Sequence, residues 1–282
     1  MGRKYAWTEK KIAEWQAQGY GEGRGEGYKP WLEIADFSSR GRSRRVWGLK
    51  THRIHHLFSD VEYDIFLASE WSRSVIDIRE QYPLDRELTQ TIAQQLKIRH
   101  PHYPGTHVPT VMTVDFLLTV TKDGKETFMA VNGKRDEEAE DANSLEKLEI
   151  QRTYFEQLEY PHHLMYHSQL PSQKVKNLEW IRDAQLKDGE SEPREGYFSA
   201  LCARMSTELN TPTGVEMPLA AYCRSFDERH GLERGTGLRV ARMLMQERAL
   251  MFNLESADLS QATIGAFVMT SRSGQLRAVG GA

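Results

Sequence analysis

The chain has 282 residues, of which 39% are hydrophobic and 27% charged, and its formal net charge is −3. That balance is enough to build one large folded domain or two smaller ones, and no apolar run approaches the roughly 18 residues of a membrane-spanning helix. The N-terminus has no apolar signal core, and the two cysteines, Cys202 and Cys223, form no C-x-x-C pair, which fits a reduced cytosolic protein and argues against structural zinc.

The charge is uneven from the start. Residues 1–56 hold 12 Lys/Arg against 6 Asp/Glu, and the rest of the chain holds 25 against 34. A basic first fifth on an acidic body reads either as a polyanion-binding arm or as a solvated charged tail. Residues 19–27 (GYGEGRGEG) carry glycine at every second position. No strand precedes them and no apolar helix follows, so they are not a dinucleotide loop. They read as a flexible connector or as an arm with close backbone approach. Residues 38–56 carry Arg40, Arg42, Arg44, Arg45, Lys50 and Arg53, with Trp47 among them. This is the strongest basic patch, and phosphate contact is its functional reading.

Ser59 and Glu62 form S-x-x-E, a capping box that predicts a helix from residue 59. Apolar residues cover several of its faces, so the helix is expected to pack on more than one side. A strand is expected over 74–79, a helix over 85–97 and a Pro/Gly-rich loop over 98–109. Residues 110–121 and 127–132 predict two strands joined at Lys122-Asp123-Gly124-Lys125, a β-hairpin. A helix over 144–157 and a strand over 162–167 follow. Helices alternating with strands predict an α/β fold around a mixed sheet. Near Pro171 the pattern changes. Helices are expected over 173–187, 195–209, 217–230 and 236–248, then short strands around Ser273-Gly274. Helices ending in a small hairpin suggest a winged-helix or helix-turn-helix module. Arg239 and Arg242 stud its last helix. They read either as DNA or partner contacts or as the polar face of an amphipathic helix.

One constellation carries chemistry. Asp115 lies in an apolar strand, where an ionised carboxylate needs a partner or a metal. Asn132 and Lys134 alternate onto one face of the next strand, which the hairpin can bring beside Asp115. Glu62 can supply a second carboxylate. Mg²⁺ prefers oxygen ligands, and Glu62, Asp115, the Asn132 side-chain carbonyl and the Gly133 backbone carbonyl offer them. Such a metal activates water and stabilises charge on a phosphate, and Lys134 can hold the water or the phosphate. This is the arrangement of restriction-endonuclease-like nucleases. The alternatives remain a plain capping box at Glu62, a salt-bridged Asp115 and a strand-end turn at Asn132-Gly133. The histidines at 52, 55 and 56 and at 162, 163 and 167 lack the closed ligand set of a zinc site. No Walker A motif is present.

Residues 21–35 (GEGRGEGYKPWLEIA), 40–62 (RGRSRRVWGLKTHRIHHLFSDVE), 71–84 (WSRSVIDIREQYPL), 112–116 (MTVDF), 129–134 (MAVNGK) and 145–154 (LEKLEIQRTY) resemble, in that order, the TnsA endonuclease subunits of heteromeric cut-and-paste transposases. The resemblance covers residues 19–170 and is weaker beyond. It implies three segments: a basic Gly/Arg-rich N-terminal arm and entry over 1–57, a restriction-endonuclease-like core over 58–170, and a winged-helix-like domain over 171–282 for DNA or partner docking. It implies catalytic Glu62, Asp115 and Lys134 with one or two Mg²⁺ ions, for which Mn²⁺ can substitute. Asn132 stands where the family carries Gln, one methylene longer, and Gly133 can let the backbone come closer. Glu149 becomes a candidate peripheral or second-metal acid, beside its plain reading as a solvated carboxylate near Lys147 and Arg152. The implied function is cleavage of the 5′ (non-transferred) strands at transposon ends in the prokaryotic cytoplasm, at the nucleoid. The implied partners are DNA, a TnsB-like DD(E) transposase and a TnsC-like ATPase. The rival readings are a free-standing restriction endonuclease and a non-catalytic DNA-binding assembly subunit.

Overall fold

The computed structural model describes residues 7–36, 42–136, 142–187, 189–210, 215–270 and 276–278. The chain separates into two compact units between Leu170 and Pro171.

The first unit is built on a four-stranded sheet in the order β3-β4-β5-β6. β3 (Val75–Pro83), β4 (Thr113–Lys122) and β5 (Lys125–Lys134) are antiparallel neighbours, and β6 (His162–Tyr166) runs parallel to β5. Asp123 and Gly124 both take positive φ (51° and 75°), so the β4–β5 hairpin closes through the two-residue turn that Asp-Gly favours. Helix α4 (Ala142–Gln157) makes the crossover that a parallel pair requires. With α3 (Arg86–Leu96) it covers the sheet through Ile92, Ala93, Ile150 and Phe155, packed on Val114, Leu117 and Ala130. Helix α2 (Asp60–Trp71) packs on β3 and β5. A Cβ at Gly133 would meet Val61 and Ile65 of α2 at 2.9 Å, so glycine there sets how closely this helix sits. Val61, Tyr63, Ile65, Phe66 and Leu67 are all buried, in line with a helix packed on several sides.

Residues 7–36 and 42–57 differ from the arm expected of them. Helix α1 (Glu9–Ala17), capped by Thr8, is not evident in the sequence reading. Trp7, Ile12, Trp15, Trp31, Tyr103 and Val111 form one buried cluster, with Trp7 stacked on Tyr103 at 4.5 Å. Burying four large aromatic rings is the physical reason this segment is packed rather than free. The glycine repeat is part of that packing. Gly19, Gly21, Gly23 and Gly25 all have positive φ, and a Cβ at Gly21 would lie 2.2 Å from Pro83 Cγ. Left-handed backbone at Gly19, Gly21, Gly23 and Gly25, with close approach at Gly21 and Gly23, accounts for glycine at these four positions. Gly21→Ala is expected to destabilise the protein by about 1–3 kcal/mol in chemical denaturation, since it adds strain and overpacking together. Next come β1 (Arg44–Trp47) and β2 (Ile54–Leu57), a separate antiparallel ribbon.

In the second unit, α5 (Ser172–Arg182), α6 (Tyr197–Leu209), α7 (Leu219–His230) and α8 (Thr236–Gln246) precede a small antiparallel sheet of β7 (Leu250–Met251), β8 (Val268–Thr270) and β9 (Leu276–Ala278). The buried carboxylate of Asp227 on α7 accepts N–H bonds from Gly235 (2.8 Å) and Gly237 (2.6 Å), which caps α8 from a neighbouring helix. Burial pushes both cysteine thiols up to about 12, so they are packing residues and not nucleophiles.

Candidate active site

Ser59 starts α2 as its N-cap, with a hydroxyl that accepts the Glu62 N–H at 3.1 Å. The Glu62 carboxylate completes the box. It accepts from Ser59 Oγ at 3.0 Å, from the Phe58 N–H at 2.9 Å and from the side chain of Gln81. Burial, and then the nearby charge of Asp115, raise the Glu62 carboxyl well above the usual carboxylate range, while those three donors oppose the rise. Glu62 and Asp115 are therefore brought together from a helix N-terminus and a sheet strand.

The hairpin register sets Asp115 beside the end of β5. The Gly133 N–H donates to Asp115 Oδ2 at 2.8 Å, and Asn132 Oδ1 accepts the Asp115 N–H at 3.2 Å. Asn132 is buried, and its Nδ2 lies 2.7 Å from Gln151 Oε1 and 2.9 Å from His162 Nε2. Its side chain thus holds the Asp115 backbone and points into a buried network. Burial, then the charges of His163 and Arg152, lower His162 to about 4, so it is neutral at pH 7 and its Nε2 can accept from Asn132. Lys134 is half-buried at the end of β5, in register with Tyr166 of β6. Glu149 stands apart from this group. It is bound to Arg152 at 2.7 and 2.9 Å on the far side of α4 from Gln151. Among the described residues no group of three or more His, Cys, Asp or Glu could hold a metal.

The basic residues divide sharply. Arg53, read from the sequence as a phosphate contact, is buried. It donates to Glu80 at 2.5 and 2.8 Å and to the Ile78 carbonyl at 2.8 Å. Lys50 donates to the carbonyls of Ser69, Ser72 and Val75 and so caps the end of α2. Arg44 pairs with Asp60 at 2.7 Å and stacks over Tyr63. Arg239 pairs with Glu190 at 2.6 Å, and Arg242 donates to the Trp180 carbonyl at 2.7 Å while stacking on its ring. These five cations anchor the chain to itself. Arg42 and Arg45 are exposed on or beside β1, and Arg40 lies outside the described residues. The histidines at 52, 55 and 56 form no metal site either. His55 is buried between Thr51 Oγ1 and Glu80 Oε2, at 2.7 Å from each.

Sequence reasoning missed Gln81, Thr113 and Gln151, and weighed His162 only as a zinc ligand, whereas it pairs with Asn132. Neutral polar residues give no signal in a search for acids and bases. The positive φ of Gln81 (47°) is a backbone property that its residue type does not announce.

Residues 72–167 match the TnsA-like endonuclease N-terminal family model, and residues 169–254 match the TnsA endonuclease C-terminal model. The Tn7 transposition protein TnsA of Escherichia coli is 34% identical over 251 residues, covering 88% of each chain. The chain accordingly belongs to the TnsA family of transposition endonucleases.

Proposed function

We propose that this protein cleaves the 5′, non-transferred strands at transposon ends by Mg²⁺-dependent phosphodiester hydrolysis. The observation that carries this reading is the pairing of buried Glu62 with half-buried Asp115 beside the end of β5, two strand positions from Lys134. Two carboxylates crowded in a low-dielectric place repel one another, and a cation relieves that repulsion. The donor set also suits Mg²⁺, which takes one or two carboxylates and completes its shell with water and phosphate oxygens. When bound, the ion would lower the pKa of a bound water and stabilise charge on the phosphate. Glu62 and Asp115 would hold it. The Gly133 N–H and the Ser59 hydroxyl fix the directions of the two carboxylates. Lys134 supplies positive charge to the attacking water or to the phosphate. With Asn132 held by Gln151 and His162, its role here is to seat Asp115.

The DNA reaches the site along the β1–β2 ribbon. Residues 37–59 contain no Asp or Glu. Arg45, Trp47 and Ile54 are exposed there, and β2 ends at Leu57, just before the Phe58 N–H that binds Glu62. Arg42 and Arg45 make phosphate contacts that position the strand. A TnsB-like transposase cuts and joins the 3′ ends, and a TnsC-like ATPase licenses assembly. The C-terminal unit, winged-helix-like in its order of helices and small sheet, docks DNA or these partners. The work is done on DNA in the cytoplasm.

The test is transposition in cells supplied with the partner genes and transposon ends, with products sequenced across whole insertions. Wild type is expected to yield simple insertions. Asp115→Ala is expected to yield cointegrates, because only the 3′ ends are then cut and joined. An unchanged proportion of simple insertions would instead favour a non-catalytic assembly subunit.

A further inference from the structure

We propose that Gln81 is a positioning residue that, through Thr113 and Gln151, sets the spacing of Glu62 and Asp115; this rests on the reading of those two carboxylates as the metal-holding pair. The two acids come from different elements, and one hydrogen-bonded path joins them. The Gln81 side chain bonds to the Glu62 carboxylate. Its Oε1 accepts from Thr113 Oγ1 at 3.1 Å, which leaves its NH₂ to face Glu62. The Thr113 carbonyl accepts from Gln151 Nε2 at 2.8 Å. Gln151 Oε1 accepts from Asn132 Nδ2 at 2.7 Å, and Asn132 Oδ1 accepts the Asp115 N–H at 3.2 Å. Every amide on the path is buried, with Gln81, Asn132 and Gln151 at 6, 3 and 7% exposure. Asn132 and Gln151 each have a partner at both the amide oxygen and the amide nitrogen, so their orientations are set.

The backbone at Gln81 supports a functional role for its side chain. Its φ of 47° lies in the left-handed region, where glycine and asparagine sit more easily than glutamine. Strain of this kind persists where the surroundings impose it, and it gathers at functional sites. The surroundings here include the Gln81 carbonyl, which accepts the Trp31 N–H at 3.2 Å and so ties this point of β3 to the N-terminal aromatic cluster. A residue chosen for backbone comfort alone would be glycine. Glutamine supplies the amide that reaches Glu62.

That contrast provides the test. Gln81→Gly keeps the carbonyl that binds Trp31, relieves the left-handed strain and deletes the amide. In the full-length protein its melting temperature should equal or exceed that of wild type. Mn²⁺ binding, measured by calorimetry without DNA, should weaken by roughly 10-fold or more, and 5′-strand cleavage in the complete transposition reaction should fall by about 10–100-fold. Gln151→Leu, which cuts the path at its other end, should lower Mn²⁺ affinity in the same direction. Gln81→Asn, which retains an amide and tolerates the backbone, should recover part of the loss. Wild-type Mn²⁺ affinity and cleavage in both Gln81→Gly and Gln151→Leu would overturn the proposal. Asp115→Ala is measured alongside. If it abolishes Mn²⁺ binding and cleavage while the Gln variants keep both, only the positioning role fails. If Asp115→Ala also keeps both, the active-site reading itself fails, and the positioning role with it.

Discussion

Replacing Arg53 by methionine is expected to destabilise the protein by about 3–5 kcal/mol, because it leaves Glu80 buried without its strongest partner. Glu80 is fully buried, and its carboxylate collects two bonds from Arg53, one from the His55 ring at 2.7 Å and one from the His56 N–H at 3.1 Å. Burial alone would push its pKa up. The charge of His55 and the bonds from Arg53 and His55 outweigh burial and hold it far below the usual carboxylate range. A carboxyl with a depressed folded-state pKa contributes stability that is fully present above its unfolded value, near 4.5, and is lost as pH falls below that. Wild type should therefore lose stability steeply on acidification below about pH 4.5. Glu80→Gln should be less stable at neutral pH and show a flatter acid slope. Urea denaturation at several pH values measures both. A neutral-pH loss under about 1 kcal/mol for Arg53→Met would mean that this buried network does not hold the ribbon to the sheet.

The second large effect falls on catalysis. Lys134→Ala and Glu62→Gln are each expected to slow 5′-strand cleavage by at least about 10³-fold while leaving the melting temperature within a few degrees of wild type. Removal of one preorganised charge-stabilising group at a reacting phosphate has a cost of that order. Glu62→Gln keeps the shape of the capping box and one acceptor oxygen, which can stay on the Phe58 N–H while the new NH₂ donates to Ser59 Oγ. Its loss of activity would then reflect the missing negative charge and not a damaged helix start. Single-turnover rates with the partners present provide the measurement.

What could be read from the sequence was local. The capping box at Ser59 and Glu62 spans four residues, and the Asp123-Gly124 turn spans two, so both were visible in the residue order. The turn then fixed the β4–β5 register and brought Asp115 near Asn132 and Gly133. Long-range partners were not visible. Trp7 meets Tyr103 only after the chain folds. Arg53 and Lys50 looked like phosphate contacts because a buried arginine and a solvated one are the same letter. Glu80, 27 positions from Arg53, and the last carbonyls of α2 decided otherwise. Glu149 and Gln151 share a helix, yet two helical steps carry them to different sides, and the neutral residue faces the site. The carboxylates were legible because burying charge is costly and so calls for an explanation. The amides that seat them were not, because amides occur everywhere.

The most direct test of the Glu62–Asp115 site is to map breaks on each strand separately at labelled transposon ends, in a reaction holding every partner protein and Mg²⁺. Wild type should break both strands. Asp115→Ala should break the 3′ strand at the wild-type rate and leave the 5′ strand intact. A 5′ break that persists undiminished in Asp115→Ala would contradict the assignment.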